Sequence, residues 1–114
     1  MSDTLKPQLK ISFRKSIAMG PGKAALLDAI NLRGSISGAA RELGMSYRRA
    51  WVLVDTMNSC FTELVVDTST GGTKGGGAHV TDFGKEILVR YRRMEETANR
   101  CVKSEMDQFS KFLG

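Results

Sequence analysis

Histidine and tryptophan occur once each in the sequence, and cysteine twice, at positions 60 and 101. A lone imidazole, His79, offers a metal no second nitrogen, and two distant cysteines match neither a disulfide framework nor a paired zinc site. No nucleophile, base and acid stand in a recognisable arrangement, and no carboxylates pair at a catalytic spacing. An enzyme is not expected, nor a cofactor or metal. Long apolar runs are also missing. The longest resemble Trp51-Val52-Leu53-Val54, far short of the roughly 20 residues that span a bilayer. The amino terminus, Met1-Ser2-Asp3-Thr4-Leu5-Lys6, lacks the basic-then-apolar layout of a signal peptide, so a cytoplasmic protein without membrane contact is expected.

What is present suits a single small domain. The chain has 114 residues, 41% of them hydrophobic, enough for one core and too few for a separate effector domain. Net charge is +5, which weakly favours a polyanionic partner. That excess is dispersed: residues 1–34 hold six Lys/Arg against two Asp/Glu, whereas residues 35–63 balance at three and three. Without a polybasic tail, anion binding has to arise from folded geometry.

Periodicity supplies that geometry. Residues 1–8 show none and contain Pro7. Leu9, Ile11 and Phe13 then alternate with Lys10, Ser12 and Arg14, the pattern of a short half-buried strand. After Gly20-Pro21-Gly22, a helix is predicted from 23 to about 32, with Gly34 placed to end it in the left-handed conformation. A second helix, capped by Ser35 or Ser37, carries Ala39, Ala40 and Leu43 on one face and stops at Gly44. Ser46 can cap a third, running to about Phe61 with Ala50, Leu53, Val54, Met57 and Phe61 inward. Two β-prone stretches, 64–67 and 78–81, flank the glycine-rich Thr70-Gly71-Gly72-Thr73-Lys74-Gly75-Gly76-Gly77 and read as a hairpin. Thr81 and Asp82 open a last helix with no breaker between Lys85 and Leu113. At 1.5 Å per residue it would span roughly 45 Å, more than a domain this small needs internally. Along it Ile87, Tyr91, Met94, Ala98, Cys101 and Val102 form an apolar stripe, continued by Met106 and Phe109, which reads as a dimer seam. The fold class is therefore mainly α with a small β-hairpin: a winged helix-turn-helix plus a long C-terminal dimerisation helix.

The segment from Ser35 to Phe61 carries the chemistry. A helix-turn-helix needs small residues where its helices cross and a glycine at the turn; Ala40, Gly44 and Ala50 stand at the required spacing. If the third helix reads DNA, its first turns and outer face meet the major groove. Arg48 lies opposite the buried face and can bond guanine bidentately. Val52 is placed to touch a thymine methyl. Ser46, Tyr47 and Arg49 suit phosphates, as does Lys74 in the hairpin tip, with Lys23 and Arg33 as further contacts. Trp51 is expected to pack against the first helices, and Cys60 and Cys101 to be buried structural thiols. The glycine loop lacks the Gly-Lys-Ser/Thr ending of a nucleotide-binding loop.

Several of these residues also carry a family resemblance. Gly34-Ser35-Ile36-Ser37, Ala39-Ala40, Gly44, Ser46-Tyr47, Ala50-Trp51, Met57-Asn58, Thr70-Gly71-Gly72, Gly75-Gly76-Gly77-Ala78, Thr81, Gly84 and Leu88 are similar to the N-terminal domain of ModE-type molybdate-responsive regulators. More distantly the layout resembles the DNA-binding domain of LysR-type regulators. The resemblance implies a homodimeric transcription regulator binding double-stranded DNA, divided into a flexible 1–8, a winged helix-turn-helix 9–82 and a dimerisation helix 83–114. Family members sense molybdate through domains that follow the long helix, and this sequence stops at Gly114. Molybdate sensing is therefore not carried over to it. The expectation is an orphan DNA-binding domain or a signal arriving through a partner, with direct oxyanion binding by the glycine-rich backbone as a weaker third reading. The alternative is a winged-helix protein-interaction module without specific DNA binding.

Overall fold

The computed structural model describes residues 5–69 and 77–114. Eight elements follow in order: β1 (Ile11–Phe13), β2 (Ser16–Met19), α1 (Pro21–Arg33), α2 (Ile36–Leu43), α3 (Tyr47–Cys60), β3 (Val66–Ser69), β4 (Gly77–Val80) and α4 (Asp82–Ser110). The fold is mainly helical with a small β3–β4 hairpin and a long last helix, as the sequence predicts, and carries a second antiparallel hairpin, β1–β2.

Local chemistry sets the helix boundaries. Pro21 opens α1, where its missing N–H is no loss. Gly34 closes it at φ 74°, its N–H donating to the Ile30 carbonyl. Ser35, not Ser37, caps α2 by accepting from the Gly38 N–H at 2.9 Å. Gly44, at φ 69°, turns the chain between α2 and α3. Both glycines occupy the left-handed region that a side chain disfavours. Ser46 then caps α3 through the Arg49 N–H at 3.0 Å.

One core holds the elements together. Leu26, Leu27 and Ile30 of α1 meet Ile36, Ala39 and Ala40 of α2 and Ala50, Val54 and Met57 of α3, all buried. Val65, Val66, Ala78, Val80 and Tyr91 complete it from the β3–β4 hairpin and α4. The alanines at the α2–α3 crossing are at most 2% exposed, so the predicted close approach is made through them.

The first hairpin departs from expectation. A single half-buried strand was predicted, but β1 pairs with a β2 that no alternation announces. Ala18 and Met19 are both buried because that end of β2 lies between the core and α3, so its pattern is a step rather than a period. Phe13 is 47% exposed, its ring under the Arg14 guanidinium at 4.9 Å. Ahead of the hairpin, Leu5, Pro7 and Leu9 are half-buried between exposed neighbours, and the Tyr91 hydroxyl donates to the Leu9 carbonyl at 2.7 Å.

The hairpin β3–β4 pairs Val66 with Val80 and Asp67 with His79. Its base is held by three bonds around Thr81. The Thr81 hydroxyl donates to the Leu64 carbonyl at 2.6 Å and accepts from the Gly84 N–H at 2.9 Å, while its N–H donates to the Val65 carbonyl at 3.0 Å. A Cβ on Gly84 would overlap the Val65 carbonyl oxygen and stand 2.9 Å from Val80 Cγ1. Gly84→Ala is accordingly expected to destabilise the fold by about 1–3 kcal/mol through forced displacement of β3, read as a lowered urea midpoint.

Candidate nucleic-acid interface

The first two turns of α3 form an outward face. Ser46, Tyr47, Arg48, Arg49 and Val52 are all exposed, with Tyr47 at 54% and Val52 at 57%. The buried Ala50, Val54 and Met57 lie on the other side, so the structure brings together the five contact residues predicted on and just before α3. A sixth, Lys74 in the hairpin tip, lies outside the described residues, as does most of the glycine-rich loop. The Ser46 oxygen accepts from Arg49 N–H, which leaves its own hydroxyl proton free for an external acceptor.

Further along α3 the face changes character. Asp55 and Ser59 are exposed, and the Ser59 and Thr56 hydroxyls donate to the carbonyls of Asp55 and Val52. The carboxylate of Asp55 would repel a phosphodiester, so a polyanion is accommodated only by the first two turns. Trp51 corrects one expectation. It does not join the core but stays 37% exposed, edge-on to Tyr47 with ring centroids 6.2 Å apart. The two rings are four residues apart on one helix and find each other before either reaches α1 or α2.

Cations divide into two populations. Arg33, Arg90, Arg92, Arg100 and Lys103 all hold carboxylates. Arg33 was expected among the phosphate contacts, but it is engaged by Glu42 at 2.6 Å and links the end of α1 to α2. Arg92 bridges Asp28 of α1 at 2.7 Å and Glu95 at 2.9 Å. Among the described residues, Arg48, Arg49 and Lys23 hold no such partner. Burial keeps the Lys23 ammonium below its usual pKa; Cys60 pulls it upward, while Arg49 and Lys10 push it further down. Lys23 is carried on α1, which packs against α3.

Asn58 is the residue that sequence reasoning missed. Its side-chain carbonyl accepts from the N–H groups of Val65 and Val66 at 2.8 and 3.2 Å, and its amide donates to the Val66 carbonyl at 3.0 Å. The end of α3 is thereby fastened to the start of β3. An amide side chain at a half-buried helix position, eight residues ahead of a strand, was the available signal.

The predicted dimer seam separates into two parts. Tyr91 is 1% exposed and so belongs to the interior rather than the seam, because α4 begins against the domain; Ile87 is half-buried against the same core. Beyond them Met94 is 43% exposed, Cys101 is exposed, and Ala98 and Val102 are half-buried. Phe109, Phe112 and Leu113 extend this apolar surface at 56%, 85% and 50% exposure. The cysteines are not the buried thiols expected: Cys60, at the end of α3, is half-buried, and Cys101 is exposed, since it lies beyond Tyr91, the last buried residue of α4.

Among the described residues no buried side-chain polar atom lacks a partner, no cluster of three metal-ligating side chains forms, and no helix is long and apolar enough to cross a membrane.

No protein-family model matches the chain. Individual proteins do. It is 41% identical over 91 residues to the molybdenum-pterin-binding protein MopB of Rhodobacter capsulatus, covering 80% of this chain and 34% of MopB. It is 41% identical over 96 residues to the molybdenum transport protein ModE of Azotobacter vinelandii, covering 84% of this chain and 34% of that protein. With the DNA-binding transcriptional dual regulator ModE of Escherichia coli K12 it shares 35% identity over 83 residues, covering 73% and 32%. The chain is homologous to the N-terminal region of ModE regulators and Mop proteins, and it spans about a third of the length of the curated relatives it matches.

Because Asn58 supplies the only side-chain bonds described between α3 and β3, Asn58→Ala should leave the Val65 and Val66 amides unpaired. A loss of about 1–3 kcal/mol is expected, with hydrogen exchange accelerated at those two amides before the rest of the core.

Proposed function

We propose that this homologue of the ModE N-terminal region is a sequence-specific DNA-binding transcription regulator that acts as a homodimer. The observation that carries the reading is the opening of α3. Its first two turns are held outward between the Gly44 turn and the Asn58 anchor, and Arg48 and Arg49 stand there without a carboxylate partner. A helix presented in this way enters the major groove by its N-terminal end.

Arg48 is the base-reading residue, through a bidentate contact to guanine, and Val52 meets a thymine methyl. Ser46, through its free proton, Tyr47, Arg49 and Lys23 contact phosphates, as does Lys74. Residues 9–82 then form the DNA-binding unit and residues 83–114 the pairing helix. Pairing runs through Met94, Ala98, Cys101 and Val102, continued by Phe109. Its exposed methionine and aromatic side chains form an apolar surface larger than scattered single residues make. The molybdenum-related names of the relatives belong to proteins about three times as long; DNA binding alone is proposed for this chain.

Titration against mixed genomic DNA at about 50 mM salt tests the reading, and no binding would instead favour a protein-docking winged helix. Selection of genomic fragments would give the cognate site. On that site Arg48→Ala should weaken binding by about 1–3 kcal/mol and on random DNA by much less; equal losses would make Arg48 a phosphate contact. The paired substitution Met94→Arg with Cys101→Arg should leave the helical circular dichroism intact and convert a dimer to a monomer in sedimentation equilibrium.

A further inference from the structure

The five cations Lys6, Lys10, Arg14, Lys15 and Lys23 fall in residues 5–27 without a single acidic residue among them. Their number equals the chain's whole net charge of +5. The fold gathers most of them on and around the β1–β2 hairpin. Lys10 precedes β1, its side chain lying near Gly20 at the hairpin's base. Arg14 and Lys15 form the two-residue tip between β1 and β2, and both are exposed. Lys23 sits in the first turn of α1, the helix that follows β2. Among the described residues none of the four holds a carboxylate, although six ion pairs form elsewhere in the chain.

The hairpin's position gives this charge a direction. β2 packs against α3, and so does α1, the helix that carries Lys23 in its first turn. Asn58, which anchors the other hairpin, is nine residues from Arg49 and so lies roughly 180° around the helix at 100° per residue. Arg48, Val52, Asp55 and Ser59 occupy the outward arc between these two flanks. The face proposed to read bases is therefore bordered by β3–β4 on one side and by the basic β1–β2 hairpin on the other.

The tip is also built to stay put. Arg14 is the only described non-glycine residue at positive φ, 58°, and its guanidinium rests over the Phe13 ring. A cation stacked on an exposed ring keeps its N–H groups directed outward while losing little freedom on binding.

We propose that the β1–β2 hairpin is a second backbone clamp, with Arg14 and Lys15, supported by Lys10 and Lys23, gripping duplex phosphates on the flank of α3 opposite the β3–β4 hairpin. The inference rests on the DNA-binding reading above and deepens it. Phosphate contacts of this kind raise affinity without regard to sequence and steepen its dependence on salt by about 0.9 log unit per contact.

The test uses the full chain carrying Arg14→Asn with Lys15→Gln. Asparagine tolerates the left-handed turn, so the charge is removed and the hairpin kept; Arg14→Lys is the charge-retaining control. Binding is measured on the selected site and on random duplex between about 50 and 200 mM salt. The neutral variant should lose affinity equally on both DNAs. The affinity it loses across that salt range should be roughly tenfold less per bound chain than for the parent, with Arg14→Lys close to the parent. If the parent binds DNA and the neutral variant keeps its affinity and salt slope, the clamp is refuted while the DNA-binding reading stands. A loss confined to the selected site would also refute it, since that is the signature of base reading. If the parent binds no duplex at all, the underlying reading fails and the clamp falls with it.

Discussion

Asn58, Val65, Thr81 and Gly84 meet at one point, where the end of α3, the root of the β3–β4 hairpin and the start of α4 are tied together by polar bonds within a few ångströms. The Asn58 side chain closes the backbone of Val65 and Val66, Thr81 closes that of Leu64, Val65 and Gly84, and Gly84 lets α4 approach where any side chain would collide. Apolar packing cannot do this work alone. Val65, Val66 and Val80 bury surface but have no directional preference, whereas a carbonyl oxygen accepting two N–H groups fixes a hairpin's angle as well as its depth. The orientation of the β3–β4 hairpin and of α4 relative to the outward face of α3 depends on this junction.

The distribution of charge follows a similar economy. Carboxylates are placed where cations need to be held to the scaffold: Asp28 and Glu95 around Arg92, Glu42 beside Arg33. These exposed pairs contribute little stability individually, yet they remove their cations from competition for an external anion. Around the first turns of α3 and on the β1–β2 hairpin no such partner is supplied among the described residues, and partial burial lowers the Lys23 ammonium's pKa.

Whatever local physics governs was legible in the sequence. Helical spacing located α1, α2, α3 and α4, and the caps Ser35, Ser46 and Thr81 and the turns Gly34 and Gly44 follow from hydrogen bonding and backbone sterics within a few residues. The exposure of Arg48, Arg49 and Val52 followed from 3.6-residue periodicity. What stayed hidden depends on contacts between distant segments. β2 shows no alternation because α3 covers only one end of it. Tyr91 reads as one more residue of a stripe until the Leu9 carbonyl, eighty-two positions away, accepts its hydroxyl. Arg33 reads as free until the α1–α2 turn brings Glu42 to it. Trp51 reads as core because a large ring usually is, and only the position of Tyr47 one turn earlier explains why it stays outside.

The asymmetry of α4 has a mechanical consequence. Its first turns are locked at Gly84 and Tyr91, and the remainder extends past the domain, giving the molecule its longest dimension of 56 Å. Twenty-nine residues amount to a rigid rod of about 43 Å hinged at the root of a hairpin. A rotation of roughly 5° at that hinge carries the far end through nearly 4 Å, by the same helix geometry. Run in reverse, whatever grips the far end acts on the hairpin with the mechanical advantage of a long lever over a short one.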